Sequence, residues 1–429
     1  MAQTTPITHA YVFAKSPDGK PVLAGELSIE HTLGSFRYDA DWLDTPNRYP
    51  LDPVNLPLQQ DRTICHNNDR VFPVFSDAAP DSWGTRIMLL SHSSRPQNEL
   101  ERLLRTSGQG VGALQFSLSR SRPKTVEPSQ SIALLDRLHQ VAESIDGPET
   151  PDPEGLRLIH PGSAMGGARP KVTLHDGDID YLAKFSRTND LVDVPRVEFA
   201  TMNMLADTEL DVPDVRLEPV GKGQSAYLIE RFDLSGQRTT HHYVSAHALF
   251  NIARIRQLPD GHKDPAGYVA LSHHLRSHSQ DFARDGKQLF LRALTNVALG
   301  NTDDHARNFG LVYDLKRCEW RLAPVFDVLP GVSGVASEQA MTLGARGRES
   351  SWDNIASCIH AFGLPIGQAV PVAQAHLEVM SRWRDYYRQA GVTDKDMGVL
   401  ERVIDTRLKA ATKRIEAQSK GSSSDSFPQ

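Results

Sequence analysis

The sequence predicts an α+β protein in which a small β-rich N-terminal module precedes a β-rich lobe and then a helical one. Three observations predict it. The opening residues alternate apolar and polar positions as a β-hairpin does. Pro148, Pro151 and Pro153 fall within one short stretch and interrupt the chain. From about Ser245 onward apolar residues recur at helical spacing, most clearly from Phe282 to Leu299.

In chain order, Ala10–Ala14 and Val22–Ile29 read as paired strands about a turn at Ser16–Gly19, whose Ser-Pro-Asp-Gly residues favour tight turns. Asp81–Leu90 and Asn98–Leu104 carry helical spacing, so residues 1–150 read as an α+β unit. A boundary is expected near 150, because proline resists both helix and sheet interiors. Val172–Leu174 and Tyr181–Phe185 read as antiparallel strands, followed by a helix over Val197–Ala206 and a strand over Ala226–Phe232. Residues 151–240 are thus expected to form a β-rich lobe. Residues 241–418 are expected to form a helical one, closing with helical segments over Val372–Gln389 and Met397–Ala417. Residues 419–429 have the serine-rich composition of a disordered tail.

A length of 429 residues suits two or three domains at roughly 150 residues each. With 47 Lys plus Arg against 53 Asp plus Glu, the net charge is −6, so no overall positive field draws the chain to DNA or anionic lipid. No apolar run approaches the roughly 18 residues of a membrane span, and the N-terminus lacks a basic region with an apolar core, so a cytoplasmic protein is expected. Cys65, Cys318 and Cys358 lie far apart without Cys-x-x-Cys spacing and read as reduced thiols.

The stretch Gly300–Phe309 follows one expected helix and precedes the strand-like Gly310–Tyr313. Within it, Asp303 and Asn308 stand five residues apart. A phosphotransfer loop needs a carboxylate to accept the proton of the acceptor hydroxyl, and an amide oxygen in the same loop can ligate Mg²⁺; protein kinases use this Asp-x-x-x-x-Asn spacing. Alone, the spacing also fits a polar surface turn. Asp327 follows the apolar Leu322–Phe326, where such enzymes present a second Mg²⁺ carboxylate. Asp304 is a rival base, but it sits one residue too close to Asn308.

Lys184 ends an apolar strand, where its ammonium could reach phosphate oxygens or simply water. Glu198, fourteen residues later on an expected helix, could pair with it or face solvent. Gly162–Lys171 contains Ser163, Gly166 and Gly167 with the cations Arg169 and Lys171, and it enters a strand. Exposed backbone N–H groups and positive charge there suit a polyphosphate.

In this order the pieces resemble the HipA family of bacterial serine/threonine kinases, the toxin components of type II toxin–antitoxin pairs. The resemblance rests on Gly166–Lys171, Glu230–Asp233, Asn301–Asn308 and Leu322–Asp327, with Val74–Trp83 and Val111–Phe116 on the N-terminal side. It implies a two-lobed protein-kinase-like fold, related also to phosphoinositide kinases, that uses ATP and Mg²⁺. It implies Asp303 as catalytic base with His305 supporting the loop, and Asn308 and Asp327 as Mg²⁺ ligands. Lys184, paired with Glu198, would meet the ATP phosphates together with Ser163, Gly166, Gly167 and Lys171. Glu230 and Phe232 would lie at the hinge beside the adenine. The resemblance further implies autophosphorylation at Ser163 and a protein substrate in translation, such as a translation factor or tRNA synthetase, with growth arrest as outcome. Its implied partner is a helix-turn-helix antitoxin that contacts DNA on the kinase's behalf. Phe326-Asp327-Val328 departs from the eukaryotic Asp-Phe-Gly in lacking the glycine.

Other signals are set aside. Gly108–Gly112 follows a helix and lacks the full dinucleotide-loop spacing, and His273, His274 and His278 have no further ligand to complete a zinc site. Trp383–Tyr387 reads as a helix with a buried aromatic face. Two rivals to the protein-kinase reading stand: a catalytically silent scaffold for an antitoxin on operator DNA, and a small-molecule or lipid kinase.

Overall fold

The hairpin at the N-terminus forms as β1 (His9–Lys15) and β2 (Pro21–Glu30). Gly19, at φ +80°, closes its turn with an N–H donated to the Ser16 carbonyl. The computed structural model describes residues 5–92, 94–147, 151–159, 167–221, 223–252, 266–332, 334 and 336–424. Strands β3 (Leu33–Tyr38), β4 (Thr63–Cys65) and β5 (Leu114–Ser117) complete an antiparallel sheet in the order β4-β3-β2-β1-β5. Helices α1 (Ala40–Leu43), α2 (Pro73–Asp77), α3 (Ser82–Ser91) and α4 (Glu99–Leu104) accompany it. The two longer ones begin at side-chain caps: Asp81 accepts from the Gly84 N–H and Asn98 from the Glu101 N–H.

The second sheet consists of β6 (Gln130–Ser131), β7 (Lys171–Asp176), β8 (Ile179–Lys184), β9 (Val215–Val220) and β10 (Gln224–Glu230), in the order β6-β7-β8-β10-β9. Alternation divides its two faces. Val172, Leu174, Tyr181, Ala183 and Leu228 pack with α5 (Leu135–Asp146) and with Trp83 and Ile87 of α3 in one apolar cluster. Lys171, Leu182, Lys184 and Tyr227 occupy the opposite face. Helix α6 (Pro153–Leu158) follows α5, and α7 (Val194–Ala206) packs against β9 and β10.

Beyond the short β11 (Leu234–Ser235) and β12 (Arg238–Thr239), a third antiparallel sheet joins β13 (His241–Ser245), β14 (Gly310–Asp314) and β15 (Glu319–Leu322). Around it lie α8 (Ala246–Leu249), α9 (Tyr268–His278), α10 (Phe282–Leu299), α11 (Trp352–Ala356), α12 (Ile366–Ser381), α13 (Trp383–Gln389) and α14 (Asp394–Ser424). Helix α10 is buried on nearly all sides from Gln288 onward and forms the axis of this lobe. One apolar cluster runs from Trp42 and Phe75 of the N-terminal module to Leu294 and Phe362 of the helical lobe.

Several expectations need correction. Pro153 begins a helix, with Asp152 as its cap, because the first helical position needs no backbone donor. The sheet expected to begin after residue 150 starts at Gln130, and α5 packs on it, so the residues serving the second lobe start upstream of the expected boundary. A three-stranded sheet stands inside the region read as mostly helical. Val372–Gln389 is broken at Arg382. Helix α14 continues to Ser424, whereas an irregular tail is expected from 419; the rest of that tail, 425–429, lies outside the described residues. Among the described residues no helix is long and apolar enough to cross a membrane. All three cysteines are free, and burial pushes the Cys65 and Cys358 thiols up to about 11.

Candidate active site

Lys184 lies at the end of β8 on the face turned away from α5, with its side chain 8% exposed. Its Nζ lies 2.6 Å from Glu198 Oε1 of α7 and 2.7 Å from Asp327 Oδ1 in the segment after β15. Burial alone would lower the pKa of this ammonium, but Asp327 and Glu198 outweigh it and hold the pKa above its ordinary value. Burial likewise pushes Asp327 up, yet Lys184, with a smaller contribution from Lys171, holds its carboxyl below the usual range. Asp327 has φ +58°, a left-handed backbone that costs an L-residue about 1–2 kcal/mol. Aspartate is among the few side chains that tolerate it.

The loop after α10 begins at Gly300, whose φ of +62° ends the helix and where a Cβ would lie only 2.6 Å from Val403 Cγ1. Asn301 bridges the helix and the loop: its amide donates to Asn296 Oδ1 at 3.0 Å and its Oδ1 accepts from the Asp303 N–H at 3.2 Å. Asp303 points outward with its side chain 84% exposed, and His305 Nε2 lies 3.8 Å from its Oδ1. Partial desolvation in the cleft raises the Asp303 carboxyl; His305 opposes this and Asp327 adds to it.

Asp304 has the opposite environment. It is 1% exposed, accepts from Tyr268 Oη and from the Ala340 N–H, each at 2.6 Å, and burial pushes its pKa up to about 6. Both its oxygens are occupied by structural bonds. Tyr268 in turn accepts from Asn296 at 3.0 Å, so a polar network underlies the loop. None of Tyr268, Asn296 or Asn301 stands out in the sequence as a site residue.

Asn308 ends a 3₁₀ turn, Ala306–Asn308, and donates its amide to the Asp303 carbonyl at 3.0 Å. Its Oδ1 is buried without a hydrogen-bond partner among the described residues, an arrangement that ordinarily costs about 1–3 kcal/mol. Asn308 and Asp327 both line a cavity of about 10 Å³. A free amide oxygen beside a carboxylate suits Mg²⁺, which takes oxygen ligands and needs only one or two from protein when phosphates and water supply the rest. Among the described residues no group of three or more His, Cys, Asp or Glu suggests another metal site.

Glu230 and Phe232 lie where β10 leaves the second sheet, and both line a cleft of about 1190 Å³ together with Gly108–Gly110 and Gly112. The glycine segment set aside in the sequence thus borders the same cleft as the expected hinge. Phe232 stacks on Phe326, with ring centres 6.0 Å apart and planes at 29°, which ties the hinge to the residue before Asp327. Burial, with Asp214 and Asp180 nearby, raises the Glu230 carboxyl.

Ser163 and Gly166 lie outside the described residues. Gly167, at φ +104°, begins the described end of the glycine-rich segment. Arg169 binds both oxygens of Asp190 at 2.7–2.8 Å. Lys171, expected at the phosphates, is 2% exposed, and its Nζ sits 2.5 Å from Asp81 Oδ2 of the N-terminal module. Its desolvated charge needs a carboxylate, and the sequence shows no periodicity that would link positions so far apart. The only sequence signal for Asp81 is its place in Val74–Trp83.

Comparisons with known proteins agree with this architecture. The HipA N-terminal domain matches residues 20–117 and the HipA-like C-terminal domain matches residues 163–384. Y4mE of Sinorhizobium fredii (strain NBRC 101917 / NGR234), a kinase by name only, is 25% identical over 343 residues, covering 72% of this chain and 76% of that protein. A Haemophilus influenzae (strain ATCC 51907 / DSM 11121 / KW20 / Rd) protein, also a kinase by name only, is 27% identical over 135 residues, 30% of this chain and 39% of that one. The fold is similar to that of a chain in the Shewanella oneidensis MR-1 toxin–antitoxin complex of HipA, HipB and operator DNA. There the TM-score is 0.68 at 15% identity, over 95% of this chain and 98% of the other. The two-lobed arrangement is accordingly kinase-like, and since the C-terminal domain match alone spans more than half of its residues, the chain belongs to the HipA family.

Proposed function

We propose that the protein is a Mg²⁺- and ATP-dependent serine/threonine protein kinase of HipA type. The observation that carries this reading is the Lys184 ammonium held between Glu198 and Asp327, three residues from three separate elements. Lys184 would contact the ATP phosphates, and Glu230 and Phe232 would border the adenine. Asp303, exposed and with no hydrogen bond to its carboxylate among the described residues, is the base: it accepts the proton of the substrate hydroxyl as that oxygen bonds to the γ-phosphorus and the bond to ADP breaks. His305 beside it supports the loop. Asn308 and Asp327 would hold Mg²⁺, which when bound neutralises charge on the phosphoryl oxygens. The occupied oxygens of Asp304 favour Asp303 as the base.

In this reading the acceptor is a protein of the translation apparatus, such as a translation factor or tRNA synthetase, with growth arrest as the result. Ser163 is the self-phosphorylated residue, and a helix-turn-helix antitoxin contacts operator DNA for the kinase. The Shewanella complex of HipA with HipB and DNA supports the last point, as does a net charge of −6 that gives this chain no general attraction to DNA.

Incubation of the full chain with labelled ATP, Mg²⁺ and a cell extract tests the reading. Labelled proteins are expected, and Asp303→Asn should lower labelling at least 10³-fold while MgATP still raises the melting temperature. Normal labelling by the variant removes Asp303 as base. Labelled lipid or metabolite without labelled protein replaces the protein-kinase reading with a small-molecule one. No labelling and no MgATP-dependent stabilisation in the wild type would favour the silent scaffold.

A further inference from the structure

Lys171 and Lys184 face each other directly between β7 and β8, so both side chains leave the same face of the second sheet. Each ammonium is met by carboxylates from other elements. Lys184 has Glu198 and Asp327; Lys171 has Asp81 of the N-terminal module at 2.5 Å. The Lys171–Asp81 pair is buried, at 2% and 6% side-chain exposure. Trp83, two residues after Asp81, donates its indole N–H to the Lys171 carbonyl at 2.8 Å. The module therefore holds one residue by both its ammonium and its backbone.

The geometry of Asp81 is tightly set. Its Oδ1 accepts the Gly84 N–H at 2.8 Å as the cap of α3, which fixes the carboxylate and leaves Oδ2 for Lys171. Capping alone requires neither a charge nor a lysine, since asparagine caps helices as well as aspartate. Lys171 is the register partner of Lys184 across β7 and β8, so its side chain leaves the sheet on the face that carries the proposed site. Without a partner, a lysine side chain has several rotamers to lose on meeting a phosphate, and a fixed one has fewer.

We propose that Asp81 and Trp83 are positioning residues of the nucleotide site: they orient the Lys171 ammonium for a polyphosphate and make the N-terminal module a working part of the ATP cleft. This rests on the reading of that cleft as a nucleotide site.

The test uses the full chain and MgATP, with dissociation constants from titration and KM and kcat from phosphate transfer. Asp81→Asn keeps the helix cap and removes the charge. It is expected to raise Kd and KM for MgATP at least tenfold with kcat within about threefold, and Asp81→Glu should recover part of the loss. Lys171→Met should match Asp81→Asn, and the double variant should be no worse than Lys171→Met alone, because the two residues act as one unit. Trp83→Phe, which keeps the ring and loses the donor, should weaken MgATP binding in the same direction and serves if Asp81→Asn does not fold.

Binding by Asp81→Asn within twofold of wild type, while Lys184→Met loses binding, overturns the proposal and leaves the nucleotide site standing. Tighter binding by Asp81→Asn also overturns it, since Asp81 would then compete with phosphate for Lys171. Losses that add in the double variant do the same. If wild type itself gives no MgATP titration, the nucleotide reading fails first and this proposal with it.

Discussion

Asp303 and Asp304 are chemically identical neighbours with opposite surroundings, one 84% exposed and the other 1% exposed. Burial raises Asp304 to about 6, above an ordinary value of about 3.9. Because the folded-state pKa is the higher one, folding favours the protonated form. This contribution to stability is complete below about pH 4 and is lost as pH rises through 6, a change of up to about 3 kcal/mol for a shift of about two units. Asp304→Asn cannot titrate. Its unfolding free energy relative to wild type should improve between pH 4 and pH 7 by up to that amount in urea melts, and a pH-independent difference would refute the assignment. The sequence offers the pairing of Lys184 and Glu198 only as one of two readings, the other being a solvated glutamate, and the 2.6 Å contact decides between them. Asp81 was not legible as the partner of Lys171, because ninety residues of chain separate them and no local pattern encodes that approach.

Among the elements, α10 matches its expected limits, since its start at the Asp281 cap and its end at Gly300 are written in local residue types. Proline misleads in both directions. Pro153 opens a helix, and Pro371 stands inside α12 as its sixth residue, past the first turn, where the helix forgoes one backbone bond. The cause of the break at Arg382 is not visible in the periodicity, which continues through it. Gly286 in α10 gives a prediction in which two effects compete. Alanine should gain about 1 kcal/mol of helix propensity, yet a Cβ there would lie 2.2 Å from the Phe362 carbonyl oxygen. Overpacking against backbone costs about 1–3 kcal/mol and cannot be relieved by a rotamer change. Gly286→Ala is therefore expected to lower the urea midpoint; a raised midpoint would show that the two segments separate readily.

At the scale of the whole molecule, the N-terminal module is joined to the kinase lobes by buried charge as well as by shared apolar core. Arg231 and Asp233 are 1% and 0% exposed and form two hydrogen bonds, at 3.0 and 2.7 Å. Arg231 also donates to the carbonyls of Gln109 and Gly110, while Asp233 accepts the Gly112 N–H at 2.8 Å. Arg231→Met leaves Asp233 as an uncompensated buried charge and should cost about 3–5 kcal/mol in equilibrium unfolding. A loss under 1 kcal/mol would mean that the module is not held by this joint. Such a joint could not be anticipated from the order of motifs, which identifies lobes but not how they lock.

The charge balance around Lys184 has one further consequence. Lys184, Glu198 and Asp327 together carry one net negative charge, with Lys184 and Glu198 buried and Asp327 25% exposed. A triphosphate arriving alone would meet charge of its own sign, whereas a cation–triphosphate pair brings compensation with it. If the site takes MgATP as proposed, this charge favours the paired species and couples the two ligands, so affinity for either one measured alone is expected to fall short of affinity for both together.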